Sequence, residues 1–319
     1  MVKPRVAVLR GGPSGEYEVS MKTGSSVMAA LDKLNYQYKD IVITRTGEWL
    51  DQGRARQPIL TLTGIDVVFI ALHGEFGEDG GIQRFLSHHH VPYTGSRALA
   101  SSTAFNKLFA KRVIGGLGIK TPRHVMCTRK PQLKQMVVNK LAHELGDRIV
   151  LKPVASGSSL DTYAGITPQR AGELLPSLLD RHEQILAEEY IDGKEVTIGV
   201  LDRFRNEEHY VLPAVEIVPA DEFYSYDAKY SGESNLICPG RLHRAEREAL
   251  ARAAALIHRQ LDMRHYSRSD FRLYNGELYY LETNSLPGLT PASLFPRGLE
   301  AVGARYEQLV DHLITLARA

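Results

Sequence analysis

The sequence has 319 residues, of which 43% are hydrophobic and 24% charged, with a formal net charge of +2 at pH 7. This balance is typical of a soluble globular protein of two or three domains and gives no support to nucleic-acid or anionic-membrane binding. The only cysteines, Cys127 and Cys238, argue against a disulfide framework and a thiolate metal cluster, so we expect small buried side chains in a reducing cytoplasm. No apolar run approaches the roughly 20 residues of a membrane helix, and the start lacks the apolar core of a signal peptide.

The first third of the chain repeats one pattern: an apolar strand, a glycine-rich turn and an amphipathic helix. The pattern occurs at residues 5–34 and again at 67–86, where residues 73–81 form the glycine-rich loop. Repetition of this order predicts a parallel α/β unit, and we place a first domain at residues 1–97.

The middle of the chain is expected to alternate helices and strands over residues 98–187. The spacing predicts one helix around residues 105–118, another at 131–145 and a strand at 149–152. Thr167 followed by Pro168 is a helix start, with threonine as the N-cap.

The last part, residues 188–319, is expected to contain two hairpins and a long helix between them. The hairpins are predicted at 184–201, around Asp192-Gly193, and at 266–284, around Asn275-Gly276. The helix is predicted at 244–261 from its apolar spacing.

The strongest local signal for chemistry is the group Asp270, Glu282 and Asn284. Hard oxygen ligands of this kind suit Mg²⁺. A two-residue turn at Asn275-Gly276 would set Asp270 opposite Leu281, so we predict a three-residue turn with a glycine bulge, which restores the match with Glu282. The alternative is a solvent-facing hairpin with scattered acids.

Lysines give the second signal. Lys152 ends an apolar strand beside the small-residue loop at 155–159, where it could meet a phosphate. Considered alone, Lys107 is better interpreted as a solvated lysine on a helix than as a phosphate ligand. Lys229 lies in the aperiodic segment 220–240, and a lysine on such a lid could close over a terminal phosphate.

Two further groups are weaker. Glu188 and Glu195 flank the first predicted turn and could bind an adenine and a ribose. An ordinary exposed hairpin explains the same residues equally well. The consecutive histidines at 88–90 do not converge on one side of an element, so we interpret them as a solvated helix end and not a metal site.

Together these segments resemble the D-alanine–D-alanine ligase family of the ATP-grasp superfamily, over nearly the whole chain and in the family's order. The matching segments are Gly11–Ser20, His73-Gly74, Gly77–Gly80, Pro92–Gly95, Asn106-Lys107, Leu151–Pro153, Gly157–Ser159, Tyr226–Tyr230, Glu282–Thr290 and Ser293–Pro296. The resemblance implies an α/β (α+β) three-domain ATP-grasp protein, with an N-terminal parallel Rossmann-like domain and two domains that clasp ATP. It also implies synthesis of D-alanyl-D-alanine for peptidoglycan precursors, and dimers are common in the family.

The resemblance also implies residue roles. Those for ATP are Lys107 and Lys152 at the α- and β-phosphates, Lys229 at the γ-phosphate, and Glu188, Ile191 and Glu195 at adenine and ribose. Two Mg²⁺ ions, for which Mn²⁺ could substitute, would be held by Asp270, Glu282 and Asn284.

For the amino acids, Glu16 would pair with the first ammonium group, and Ser158 and Tyr230 would fix the loop arrangement around it. Arg268 and the Gly288 N–H would bind the oxyanion. The second D-alanine would be bound by His73, Ser293 and Leu294.

The sequence departs from the family pattern at two places. Asp161 stands where the family usually has glycine, and its charge would be unfavourable near phosphates unless it points away. Gln83-Arg84 replaces the common Gln-Gly. Tyr230 matches the dipeptide-forming members.

Three other functions compete with this one. A ligase for another amino-acid pair, such as D-alanine with D-serine, remains the main alternative. A non-catalytic relative would lack part of the lysine, metal and Arg268 set, which is complete. A dinucleotide-binding dehydrogenase lacks the glycine spacing after Gly11-Gly12.

Overall fold

The computed structural model describes residues 3–129, 134–157, 161–218 and 235–319. Ser158, Lys229 and Tyr230 lie outside the described residues. The strands are β1 (Val6–Gly11), β2 (Tyr38–Ile43), β3 (Trp49–Asp51), β4 (Arg54–Arg56), β5 (Val67–Ile70), β6 (His124–Thr128), β7 (Ile149–Pro153), β8 (Tyr163–Ile166), β9 (Gln184–Glu189), β10 (Lys194–Asp202), β11 (His209–Val211), β12 (Val215–Val218), β13 (Asn235–Ile237), β14 (Tyr266–Tyr274) and β15 (Glu277–Asn284). The helices are α1 (Tyr17–Lys33), α2 (Pro58–Thr61), α3 (Gly81–His88), α4 (Ala98–Phe105), α5 (Lys107–Gly115), α6 (Lys134–Leu145), α7 (Pro168–Arg181), α8 (Arg244–Gln260), α9 (Leu294–Glu300) and α10 (Tyr306–Ala317).

The first sheet contains the predicted parallel unit, formed by β1, β2 and β5, and extends it with the antiparallel strands β3 and β4. Its order is β4-β3-β2-β1-β5, and β1 pairs in parallel with both β2 and β5. Val19, Val27 and Leu31 bury one face of α1, as their helical spacing requires. The glycine-rich loop after β5 leads into α3, and the histidines at 88–90 end this helix as expected.

The prediction of one helix around residues 105–118 was wrong, because the chain breaks at Asn106. This residue has extended dihedral angles (φ −85°, ψ 99°) and forms a β-bridge with Ala155. Its side chain accepts a hydrogen bond from the Phe109 N–H and caps α5. The break turns the start of α5 toward β7, and Phe109 and Val113, two of the apolar residues that suggested the helix, are exposed.

The second sheet is antiparallel, in the order β6-β9-β7-β8, and packs against α6 and α7. The predicted N-cap of α7 is confirmed, since the Thr167 hydroxyl accepts a hydrogen bond from the Arg170 N–H. Leu141, Leu151, Leu178 and Ile185 belong to a hydrophobic core that serves this sheet.

The third sheet is antiparallel, in the order β13-β12-β10-β14-β15, with β11 beside β10. The hairpin predicted at residues 184–201 does not form, because β9 belongs to the second sheet and β10 to the third. Asp192-Gly193 instead connects the two sheets. An added Cβ at Gly193 would lie 2.2 Å from the Leu273 carbonyl oxygen, so glycine is needed there for close approach and not for a turn.

The hairpin of β14 and β15 forms, but the predicted three-residue turn was wrong. Asn275 and Gly276 both have positive φ and make a two-residue turn, with Tyr274 opposite Glu277. The register shifts further along, between Asp270 and Phe271, where β15 accommodates an extra residue, Leu281. This bulge pairs Asp270 with Glu282, so the predicted pairing holds for a different reason.

The C-terminal helices return to the first sheet. Phe295 of α9 and Leu309 and Leu313 of α10 share one core with β1 and β5. Among the described residues, no helix has the length and apolar character that crossing a bilayer demands. Cys127 and Cys238 are free thiols but half-buried, less buried than we expected, and burial raises the pKa of both.

Candidate active site

A cavity of about 820 Å³, including its part open to solvent, lies between the second and third sheets; we call it the inter-sheet cavity. Seven residues with predicted roles line it: Lys107, Lys152, Glu188, Ile191, Glu195, Asp270 and Glu282. They come from sequence positions up to 175 residues apart, and the crossing at Asp192-Gly193 brings them together.

One wall of this cavity, the cationic wall, is built on β7 and β9. The buried Glu188 carboxylate lies 2.8 Å from the ammonium groups of both Lys152 and Lys111. Burial would raise the pKa of Glu188, but the two lysines outweigh it and lower the pKa. Burial lowers the pKa of Lys111 to about 8, whereas for Lys152 burial is outweighed by Glu188 and the pKa is raised.

Lys107 joins this wall because of the break at Asn106. The Lys107 N–H donates to the Val154 carbonyl at 3.0 Å, and its ammonium group donates to the Ser156 carbonyl at 2.5 Å. The same ammonium group lies 3.5 Å from Glu282 on the opposite wall. Lys107 is therefore buried, not the solvated helix lysine that sequence alone favours, and burial lowers its pKa.

The opposite wall, the acidic wall, is built on β14 and β15. Arg268 donates two hydrogen bonds, 2.9 and 2.8 Å long, to the two oxygens of Asp270, and the Asn284 amide donates to Asp270 at 3.2 Å. Glu282 lies opposite Asp270 in the register, two residues from Asn284 on the same strand. Two carboxylates and an amide oxygen beside a phosphate-sized space fit Mg²⁺, which takes few protein ligands and completes its shell with phosphate and water.

The connection between the sheets closes one end of the inter-sheet cavity. Glu195 accepts a 2.7 Å hydrogen bond from Arg272, which also donates to the Gly193 carbonyl at 2.8 Å. Ile191 and Tyr190 line the cavity here, and the Arg148 guanidinium lies 4.3 Å from the centre of the Tyr190 ring. This end offers apolar surface and acceptors suited to a nucleoside.

A second cavity adjoins the first and is lined by the residues predicted to bind amino acids; we call it the amino-acid cavity. These residues are Glu16, His73, Arg268, Gly288, Ser293 and Leu294, together with Asn284 of the metal set. Gly157 and Glu282 line both cavities, so the two cavities meet at these residues.

Glu16 lies at the start of α1 and is buried against two glycines. An added Cβ would lie 2.1 Å from a Glu16 carboxylate oxygen at Gly157, and 2.8 Å from it at Gly74. Gly74 also has a positive φ. Glycine at both positions therefore leaves room for this carboxylate where it lies.

His73 is buried, and its hydrogen bonds define its tautomer. Nδ1 lies 3.1 Å from the Leu286 carbonyl, which can only accept, so Nδ1 carries the proton and Nε2 accepts from the Thr23 hydroxyl at 2.9 Å. Burial lowers the pKa of His73, which keeps the ring neutral. The side chain thus acts as a fixed neutral part of the amino-acid cavity.

Ser293 and Leu294 stand at the start of α9, across the amino-acid cavity from Glu16. The Ser293 hydroxyl is 2.8 Å from that of Thr290, and an added Cβ at Gly288 would lie 3.0 Å from the Ser293 oxygen. The loop at 288–293 is therefore closely packed where it lines the cavity.

Sequence reasoning missed two buried charged residues, Glu78 and Lys111. Glu78 accepts hydrogen bonds from the N–H groups of Gly74 (2.8 Å) and Leu286 (3.3 Å), which join the glycine-rich loop to the end of the third sheet. Burial, with a contribution from Glu16, raises the pKa of Glu78 to about 8. Glu78 lies inside the matching segment Gly77–Gly80 and could have been noticed there. Lys111 has nothing in the sequence that marks it except its position on a helix.

The Asp161 side chain points away from the cationic wall. This is the orientation that we expected, because its negative charge would be unfavourable near phosphates. Its carboxylate oxygens lie 2.8 Å from Arg181 and 2.7 Å from His182 at the end of α7. The residue has a φ of +53°, a conformation that glycine adopts without strain and that aspartate tolerates.

Comparisons with known proteins agree with the family resemblance of the sequence. The family profile "D-ala D-ala ligase C-terminus" matches residues 113–315, and "D-ala D-ala ligase N-terminus" matches residues 5–61 and 52–96. The D-alanine–D-alanine ligase of Geobacter sulfurreducens is 37% identical over 320 residues, covering 98% of this chain and 94% of the relative.

Solved structures of similar shape include two ligases. That of the D-alanine–D-alanine ligase from Bacillus anthracis complexed with ATP has a TM-score of 0.80 at 29% identity and covers 98% of this chain and 97% of the other. The VanG D-Ala:D-Ser ligase from Enterococcus faecalis has a TM-score of 0.83 at 26% identity and covers 99% and 100%.

Proposed function

Because this chain belongs to the D-alanine–D-alanine ligase family, we propose that it uses ATP to join two D-alanine molecules into D-alanyl-D-alanine. The observation that carries the proposal is the meeting of the two cavities at Gly157 and Glu282. A terminal phosphate in one cavity and an amino-acid carboxylate in the other would face each other there. The α/β fold is that of the ATP-grasp ligases. We keep the expected domains, 1–97, 98–187 and 188–319, as part of the proposal; strand β9 of the second sheet extends two residues past the boundary at 187.

The reaction has two steps. A carboxylate oxygen of the first D-alanine attacks the γ-phosphorus of ATP, giving D-alanyl phosphate and ADP. The amine of the second D-alanine then attacks the acyl carbon, and phosphate leaves while the amine loses a proton. Phosphorylation is needed because an ionised carboxylate is a poor acceptor for an amine at neutral pH.

The cationic wall would hold the phosphates. Lys107 and Lys152 are buried beside the loop at 155–157 and would contact the α- and β-phosphates. Lys229 would approach the γ-phosphate, and Ser158 and Tyr230 would arrange the loop near Glu16. Glu188, Ile191 and Glu195 would receive adenine and ribose.

The acidic wall would hold the metal ions. Asp270, Glu282 and Asn284 would hold two Mg²⁺, or Mn²⁺ in their place, which neutralise charge on the transferred phosphoryl group. Arg268 and the Gly288 N–H would stabilise the oxyanion of the second step. The hydrogen bonds to Asp270 use two of the five N–H donors of the Arg268 guanidinium and hold the group in a fixed orientation beside the amino-acid cavity.

The amino-acid cavity would hold the two D-alanine molecules at different places. Glu16 would pair with the ammonium group of the first D-alanine. His73, Ser293 and Leu294 would contact the second. We further propose that the dipeptide is a peptidoglycan precursor made in the cytoplasm by a homodimer, following the family resemblance.

The direct test is ATP-dependent phosphate release with D-alanine, L-alanine or no amino acid, with the product identified by mass spectrometry. We expect release and dipeptide only with D-alanine. Mixed product from D-alanine plus D-serine, in preference to D-alanyl-D-alanine, would favour the D-serine alternative that the likeness to the VanG ligase raises. ATP binding without turnover of any of these would contradict the proposed substrates and leave the nucleotide site intact.

A further inference from the structure

Three potential metal ligands from three different elements meet on the third sheet, away from both cavities. Asp202 is the last residue of β10, His209 is the first of β11 and pairs with it in the register, and His258 lies on α8. One ligand atom of each lies within 4.8 Å of the others. We call this group the Asp202 cluster.

The distances inside the Asp202 cluster are close to those of a tetrahedral metal site. Nδ1 of His209 and Nε2 of His258 lie 2.8 and 3.0 Å from the same oxygen of Asp202. Ligand atoms bound at roughly 2.0–2.1 Å to a tetrahedral Zn²⁺ are about 3.3 Å apart. The two nitrogens would each move a few tenths of an ångström away from the Asp202 oxygen to admit the ion, and they already lie within 4.8 Å of each other.

Neighbouring groups hold the ligands in orientation. Nδ1 of His258, which is fully buried, lies 2.7 Å from the Ser267 hydroxyl, so its Nε2 is directed at Asp202. The second carboxylate oxygen of Asp202 accepts a 2.6 Å hydrogen bond from the main-chain N–H of His265. Such outer contacts, which fix the ring of one ligand and the carboxylate of another, are typical of metal sites in proteins.

The side chains of Arg264 and His312, near the cluster, are directed elsewhere. Arg264 donates to the carbonyl groups of Gly95 and Tyr93, and His312 donates from Nε2 to the main-chain carbonyl of Asp202. The side chain of His209 is 25% exposed, which leaves one side of the cluster open to water. Three protein ligands and one open position suit Zn²⁺.

We propose that Asp202, His209 and His258 bind one Zn²⁺, with water as the fourth ligand. The ion would join the β10–β11 hairpin to α8 and stabilise this edge of the third sheet. Asp202 lies five residues along β10 from Thr197, which pairs with Asp270, so the ion would be about 17 Å from the acidic wall. The role is therefore structural, independent of the proposed reaction.

Zinc affinity of the full chain, freed of metal by a chelator and studied without ATP or Mg²⁺, tests the proposal. Competition with a chromogenic chelator should give one Zn²⁺ per chain, and Co²⁺ should give the visible absorption of a tetrahedral site. His209→Ala should weaken Zn²⁺ binding by more than about 100-fold. His90→Ala, which removes an exposed histidine at the end of α3, is the matched control and should leave affinity unchanged.

A second variant and a second measurement keep the test decisive. Asp202→Asn should also lose zinc, and zinc should raise the melting temperature of the wild type but not of His209→Ala. The proposal is overturned if the wild type binds no zinc, or if His209→Ala binds as well as His90→Ala. Binding that survives His209→Ala and disappears in Asp270→Asn would place the ion at the acidic wall and equally overturn it.

Discussion

The two walls of the inter-sheet cavity differ in how deeply their charged side chains are buried and in which groups pair with them. On the cationic wall, Glu188 is 1% exposed and bridges Lys111 and Lys152, so the two lysines share one buried carboxylate and the wall stays positive. On the acidic wall, Asp270 and Glu282 are half-buried, and their partners Arg268 and Lys107 are groups with proposed roles of their own. The first wall is stabilised by its own pairs, whereas the second keeps acids that ligands can reach.

The largest expected effect comes from breaking the cationic wall. Glu188→Gln leaves two buried lysines without their carboxylate, and removing one partner of a buried pair costs about 3–5 kcal/mol in the free energy of unfolding. Denaturant unfolding measures the loss. The matched control is Glu189→Gln, whose partner Arg123 is largely exposed, and it should cost about 0–1 kcal/mol. Equal losses in the two variants would contradict the difference between the walls.

On the acidic wall the same kind of change should affect the reaction more than stability. Asp270→Asn should lower kcat by about 10²–10³, because it removes charge at the proposed metal site. Glu277→Gln, on the exposed end of the same hairpin, should retain activity, since its partner Lys120 is exposed as well. An Asp270→Asn enzyme with normal kcat would exclude Asp270 from metal binding.

A smaller effect is expected where the cationic wall meets the amino-acid cavity. Gly157→Ala places a methyl group 2.1 Å from the tip of Glu16, a flexible side chain that can rotate away. We expect little loss of stability and an increase of about tenfold in KM for D-alanine, equivalent to about 1.4 kcal/mol. Gly115→Ala, at an exposed position with nothing within 4 Å, is the control. An unchanged KM would mean that Glu16 does not contact the first substrate.

The smallest effect is expected from Asp161, beyond the end of the cationic wall. Asp161→Gly keeps a favourable residue at positive φ. It removes a partly exposed ion pair with Arg181 and a contact with the His182 ring, together worth about 1 kcal/mol or less. Activity should stay the same or rise. A loss of activity above about tenfold would show that these contacts position the loop at 155–157. Asp161→Asn, which keeps a side chain at positive φ but removes its charge, would separate this effect from a change of the backbone.

Several features of the fold and site were predictable because their causes are local. The parallel pairing of β1 with β2 and β5 follows from the strand–loop–helix order, and the start of α7 follows from Thr167 and Pro168. The pairing of Asp270 with Glu282 was also predicted, although through the wrong turn. Ordered motifs along the chain identified the family, and most of the residues they name line the two cavities.

The sequence by itself therefore determined the elements whose signals lie within a few residues of each other. Its motifs also determined which residue types form the site. Only the tertiary structure decided that Asp192-Gly193 joins two sheets, that Leu281 is an extra residue in β15, and that Asn106 divides a helix. It also decided the partners of Glu188 and Asp202. Periodicity and turn chemistry act between near neighbours, whereas ion pairs and strand partners join residues tens of positions apart, whose choice depends on how the whole chain packs.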